Sequence, residues 1–288
     1  MVQGVRGSPG GIDYSLGPQG LEMTNGAFSL SLTGSQGPHY TFFDNLENET
    51  EYHLKLIRAF EYLDENHDGV YTAADDTSIN PSVSLQTSSW SFGGFVSEQS
   101  SGEISRLQFN LSSVGGFAPH QPQLNIELQN QISIENANAL KFGITLEGWS
   151  WSRGDSNLAI VMALGSGGRG QQITRPSVSH SSGNLTFGNG FFSYASEIRY
   201  GSNQSTLNAS LGGAMPQDEG EQFFLCFPNS GDEALQCDPL IGLVQGSVIP
   251  TTSTTTSFQL LDTERFLLVA GGVTVVLLII VLINSRGK

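Results

Sequence analysis

Asp64, Asn66, Asp68, Thr72 and Asp75 stand at positions one, three, five, nine and twelve of the run Asp64-Glu-Asn-His-Asp-Gly-Val-Tyr-Thr-Ala-Ala-Asp75. This spacing wraps oxygen donors around one point, as a hard cation requires; Ca²⁺ gathers roughly six to eight oxygens. Asp64, Asn66 and Asp68 supply side-chain oxygens, Val70 its backbone carbonyl, and Thr72 a direct or water-mediated contact. Gly69 at the sixth position permits the sharp turn that brings the arms together. The competing reading is an acidic turn without a metal.

The D-x-N-x-D-G run resembles the calcium loop of the EF-hand family, over about 25 residues of the chain. The resemblance implies Ca²⁺ as the bound ion and an entry helix through Ala59-Phe60-Glu61-Tyr62-Leu63. Two features depart from the family. Asp75 replaces the longer Glu at the twelfth position, with Asp76 as a possible substitute, and the exit through Pro81 opposes a second helix. A single loop on a β domain suggests a structural brace rather than a sensor.

Other runs of chemical interest lack the context they need. Gly165-Ser-Gly-Gly-Arg-Gly170 spells a dinucleotide-type glycine loop, yet Gln171-Gln-Ile-Thr-Arg-Pro176 offers no following helix. Gly154-Asp155-Ser156 resembles the core block of a serine-esterase family, but it lies mid-chain, and His180 has Ser177 where that family has Asp. Trp149 with Trp151, and Trp90 with Phe92, share strand faces by their spacing; they are expected to cap a core, with sugar stacking as the rival use.

Cys226 and Cys237 are the only cysteines and flank the turn-forming Pro228-Asn-Ser-Gly231. A disulfide closing this short hairpin is the expectation, with free core thiols as the alternative. Acceptors for N-glycosylation occur at Asn48, Asn110, Asn184, Asn203 and Asn208.

The elements that position these residues are strands. Phe28, Leu30 and Leu32 alternate with serines; Leu124, Ile126 and Leu128 alternate with Asn125 and Glu127; Leu140–Trp149 alternates over nearly its length. Asn25-Gly26 marks a tight hairpin. The expected fold is all-β, an antiparallel β-sandwich of one or two modules. Residues 1–19 are expected to be a flexible lead-in, 20–164 a module carrying the loop, and 176–249 a second module or its continuation, with a boundary near 165–175.

Beyond 250 the composition changes. Pro250-Thr-Thr-Ser-Thr-Thr-Thr-Ser257 opens a hydroxyl-rich stalk over 250–265. Phe266–Ile283 is an uncharged apolar run that spans about 27 Å as a helix, close to bilayer thickness. Arg286 and Lys288 follow it, so the tail 284–288 is expected in the cytoplasm and the large β domain outside. Met1–Gly10 carry no secretory apolar stretch; an outside location then implies a signal upstream, and the rival is a tail anchor with a cytosolic β domain.

Charge narrows the partners. Across 288 residues, 12 Lys+Arg face 27 Asp+Glu, a net charge of -15. Lys55, Lys141 and Lys288 stand far apart, which excludes a nucleic-acid surface. The expectation is a single-pass cell-surface protein, calcium-braced, that contacts the bilayer through 266–283 and an extracellular protein or glycan through its β domain. It is expected to serve adhesion or recognition, without catalysis. The rival of another class is a membrane-tethered hydrolase with carboxylates from separate strands.

Overall fold

The computed structural model describes residues 3–5, 11–18, 20–26, 28–34, 37–45, 49–194, 197–215 and 220–244. The stalk and the apolar run at 266–283 lie outside them. Among the described residues there is no helix, and so none long and apolar enough to cross a membrane.

Strands β1 (Gln3–Val5), β2 (Asp13–Gly17), β3 (Gly20–Thr24), β4 (Phe28–Thr33) and β5 (His39–Asp44) meander into the long β6 (Thr50–Leu63). A hairpin then leads to β7 (Thr77–Ser84). A second meander follows: β8 (Ser89–Ser100), β9 (Glu103–Val114), β10 (Asn125–Ser133) and β11 (Ala139–Glu147). β12 (Asn157–Gly168) returns to the first sheet. β13 (Val178–Ser181), β14 (Asn184–Phe187), β15 (Gly190–Ser193), β16 (Glu197–Tyr200) and β17 (Asn203–Thr206) join the second. β18 (Asn208–Ala214) and β19 (Glu221–Phe227) go back to the first, and β20 (Leu235–Cys237) and β21 (Leu240–Leu243) end in the second.

All pairings are antiparallel, as the alternation implied. The first sheet runs β1-β2-β3-β4-β5-β6-β12-β19-β18, with β7 also on β6; the second runs β13-β14-β15-β21-β11-β10-β9-β8, with β16, β17 and β20 beside it. Alternate residues of each sheet build one shared core. Tyr40 of β5 meets Phe142 of β11 at 5.4 Å between ring centroids, and Phe192 of β15 meets Phe223 of β19 at 4.9 Å. The Tyr40 hydroxyl donates to Asn130 Oδ1 at 3.0 Å, so its burial leaves no polar atom orphaned.

The structure bears on three expectations. Residues 1–19 are not a loose lead-in where described: β1 and β2 pair into the sheet, and Ile12 is fully buried. Of the two alternatives for 176–249, a second module or a continuation, the described residues up to 244 form the continuation. They continue both sheets and bury Leu185, Phe192, Phe223 and Ile241 in the same core as Phe28 and Leu54. The third concerns Ala59–Leu63, which is the end of β6 and not a helix. Both faces of this segment are covered: Ala59 enters the shared core, while Phe60 and Tyr62 face a second apolar cluster on the outer side. A strand buried on both sides loses the alternation that would mark it.

Candidate functional site

The outer face of the first sheet holds a shallow seat. Register places Phe60 of β6, Ala159 of β12, Cys226 of β19 and Asn208 of β18 in one row across the strands. Arg58, Val161, Phe224 and Ser210 form the next row. Ala159 and Cys226 are small, so the middle of the first row is low, with the Phe60 ring at one end and Asn208 at the other. Residues 64–76, the connection from β6 to β7, fold across this seat as a strap.

Tyr71 fills the seat. It is 8% exposed and meets Phe224 at 4.8 Å, Phe60 at 4.9 Å and Tyr62 at 5.4 Å, all edge-to-face. Its amide donates to Cys226 Sγ at 3.2 Å, and Ser210 Oγ donates to its carbonyl at 2.5 Å. Asn208 Nδ2 donates to the Gly69 carbonyl at 3.4 Å. Gly69 has φ +78°, a backbone that favours glycine, and a Cβ there would stand 2.8 Å from Asn208 Nδ2 and displace that amide from its bond.

Above the seat, the predicted ligands form a tight turn. Asp64 accepts from the amides of Asp68 at 3.2 Å and Gly69 at 3.0 Å. Asn66 Oδ1 accepts from the Asp68 amide at 3.1 Å, and Asn66 Nδ2 donates to Asp68 Oδ2 at 3.0 Å. Asp68 Oδ1 accepts from the Val70 amide at 2.9 Å. His67, like Gly69, sits at positive φ, here 59°. The loop thus brings Asp64, Asn66 and Asp68 together.

Thr72 and Asp75 pair with each other. The Thr72 hydroxyl donates to Asp75 Oδ2 at 3.0 Å. Asp76, one residue beyond the expected twelfth ligand, closes the ring by accepting from the amides of Glu65 at 3.1 Å and Thr72 at 2.7 Å. Among the described residues no three His, Cys, Asp or Glu side chains gather as a metal cluster. The donors in the loop are nonetheless hard oxygens throughout, and each carboxylate oxygen engaged by one amide keeps lone-pair capacity for a cation. The donor set fits Ca²⁺ and no soft metal.

The two cysteines are free in this structure, where the sequence led to the expectation of a disulfide. The reason is facing. In β19, Phe223, Leu225 and Phe227 enter the inter-sheet core, so the neighbouring Cys226 points to the outer seat. Cys237 of β20 lies in the inter-sheet core. The first sheet's backbone stands between the thiols. Burial pushes Cys226 up to about 12 and Cys237 higher still.

The glycosylation acceptors differ in setting. Asn203 is exposed at the start of β17; Asn184 is half-buried at the start of β14. Asn110, half-buried in β9, has its amide against Gly94, and Asn208 spends its amide on the strap, so a sugar on Asn208 would displace that bond. Asn48 lies outside the described residues.

Comparison with known proteins adds little chemistry. No family model and no curated protein matches the chain. Similar solved structures include a heparan sulfate lyase from Pedobacter heparinus at 10% identity and TM-score 0.40, covering 87% of this chain and 38% of that one. A heparinase III matches at 11% identity and TM-score 0.40, over 76% of this chain and 37% of its own. The chain therefore spans less than two fifths of those proteins. So loose a likeness says nothing of its activity.

Two polar clusters escaped the sequence reading. Glu61 of β6 is 3% exposed at one end of the inter-sheet core. Its carboxylate accepts from Trp149 Nε1 at 3.1 Å, the Ser152 amide and hydroxyl at 2.9 Å each, and Ser156 Oγ at 2.8 Å. Ser156 is fully buried and committed to Glu61, so it is no exposed nucleophile. Trp149, 6% exposed, caps the core as expected for a structural tryptophan. The one hint in the sequence was a lone carboxylate inside Ala59-Phe-Glu-Tyr-Leu63.

The second cluster is His39 with His53, on neighbouring β5 and β6. His39 Nε2 lies 3.0 Å from His53 Nδ1, Thr41 Oγ1 is 3.2 Å from that same nitrogen, and Glu51 Oε1 is 3.3 Å from His53 Nε2. Burial, then the charge of His53 and then Lys55, lowers His39 to about 3. Burial and then Lys55 lower His53 to about 4. Both rings are neutral at neutral pH, and they bond each other instead of converging on a common point.

Proposed function

We propose that this chain is a single-pass cell-surface protein whose antiparallel β domain is braced by one Ca²⁺ and serves adhesion or recognition of an extracellular protein or glycan. The observation that carries the reading is the strap itself. Its D-x-N-x-D-G turn gathers Asp64, Asn66 and Asp68, takes left-handed backbone at His67 and Gly69, and is stitched to β18 through Asn208 and Ser210. Ca²⁺ held by Asp64, Asn66, Asp68, Val70 and Thr72, with Asp75 or Asp76 completing the set, would neutralise adjacent carboxylates. It would thereby fasten the β6–β7 hairpin to β18 and β19. A brace of this kind suits a domain that must keep its shape outside the cell. The Thr/Ser tract from 250 and the apolar run Phe266–Ile283 support a stalk and a membrane anchor, with the short tail inside.

An aspartate in place of the usual last-position glutamate points to a weak site, with Kd about 10⁻⁴–10⁻³ M as in extracellular modules. Millimolar calcium then adds about 0.4–1.4 kcal/mol, a rise in melting temperature of about 1–5 °C. The test is thermal unfolding in chelator and in calcium, for the native chain and for Asp64→Ala with Asp68→Ala. The double variant is expected to lose the calcium response. A native melting curve unmoved up to ~10 mM calcium, well above the expected Kd, overturns the brace.

A further inference from the structure

The strap covers something besides its own turns. Beneath it lies the Cys226 thiol, 2% exposed on the outer face of a sheet, where a side chain meets water unless another segment shields it. The segment that shields it is the strap. Tyr71 packs in the same cluster as Cys226, and its amide donates to Sγ. Among the described residues the strap is fastened to the sheet by the Tyr71 ring, with Val70 packed beside it, by the Tyr71 amide, and by single bonds from Asn208 and Ser210. Its outward side, Glu65 to Asp68 and Ala73 to Asp75, is exposed. Cys237 differs in one respect. It sits between the two sheets, where a reagent arrives only if the sheets part.

We propose that residues 64–76 are a hinged cover for Cys226, latched by Tyr71, which opens as a local unit while the two-sheet core stays closed. Elements with few buried contacts open at lower free energy than the core they rest on. The ring of bonds from Asp76 to Glu65 and Thr72 keeps the strap's own shape, so it can lift as a piece about the ends of β6 and β7. Opening would uncover the thiol together with the faces of Phe60 and Phe224. The cover stands on this packing alone. Its closure by calcium rests on the reading above.

The experiment is N-ethylmaleimide labelling of the full chain in detergent micelles, with each cysteine followed by peptide mass spectrometry across a urea series. Cys226 is expected to label at least ~10-fold faster than Cys237 without denaturant, with little dependence on low urea, and Cys237 to rise steeply with urea. Tyr71→Ala should speed Cys226 further and leave Cys237 unchanged. Equal rates with equal urea dependence in the native chain overturn the cover, whether or not the variant folds. Calcium should slow Cys226 alone. If calcium raises the melting temperature but leaves Cys226 labelling unchanged, the cation is bound and its control of the cover is refuted. If calcium changes neither, the brace fails, and the rate difference between the thiols still decides the cover.

Discussion

Two apolar clusters in this molecule use the same residue types and are held in different ways. The inter-sheet core is closed by two continuous hydrogen-bonded sheets, each supplying alternate side chains over many strands. Among the described residues the outer cluster has seven buried members and is covered on its solvent side by a loop. What separates them is how many backbone elements must part before water enters. Apolar content alone does not set local stability; the cooperativity of the cover does.

The largest test of that contrast is Phe192→Ala, which removes a ring packed against Phe142, Tyr194 and Phe223. A loss of about 3–5 kcal/mol in urea unfolding is expected, with the urea slope unchanged. Glu61→Ala attacks the polar end of the same core. It strands the Trp149 and Ser152 donors, and the expected loss is about 3 kcal/mol. If Glu61→Ala costs little, water reaches this end of the core and the cluster is less dry than its burial implies.

Tyr71→Ala should cost about 2 kcal/mol, less than Phe192→Ala, because the sheet beneath keeps its pairing. A loss equal to that of Phe192→Ala would merge the strap with the global folding unit and erase the comparison. The smallest effect concerns the His39–His53 pair, which the same outer face holds neutral. Their folded values of about 3 and 4 lie below the ~6.5 of an unfolded histidine. The unfolded chain therefore binds more protons through this window. The stability at stake is complete above about pH 6.5 and is lost as pH falls toward 4. Replacing both with Gln should flatten the acid slope of the melting temperature, a difference of about 1 kcal/mol at pH ~5.5 after allowing for partial exposure.

Much of the fold was legible where one face of a strand meets water. Phe28-Ser-Leu-Ser-Leu32 and Leu124–Leu128 alternate; the first lies in β4, the second runs into β10, and the apolar members of both face the shared core. Legibility failed where both faces are covered. Ala59-Phe-Glu-Tyr-Leu63 has no alternation because Ala59 and Glu61 go inward while Phe60 and Tyr62 go under the strap. Beside a cation-loop spacing, such a segment looks helical. The continuous apolar run Leu158–Leu164 carried the matching signal, since a strand apolar at every position is one buried on both faces.

The local chemistry needs nothing beyond the chain itself. The turn at Gly69, the oxygen donors at Asp64, Asn66 and Asp68, and the period-two faces follow from residue types and spacing, which act within a few residues. Which groups from distant strands share a face emerges only from the folded sheets. Cys226 and Cys237 are eleven positions apart, yet one looks outward from β19 and the other inward from β20. Glu61 finds Trp149, Ser152 and Ser156 across some ninety residues. Tyr71 finds its seat because Ala159 and Cys226 are small at the same register. Register between non-adjacent strands is set by the packing of the whole sheet, and no local pattern records it.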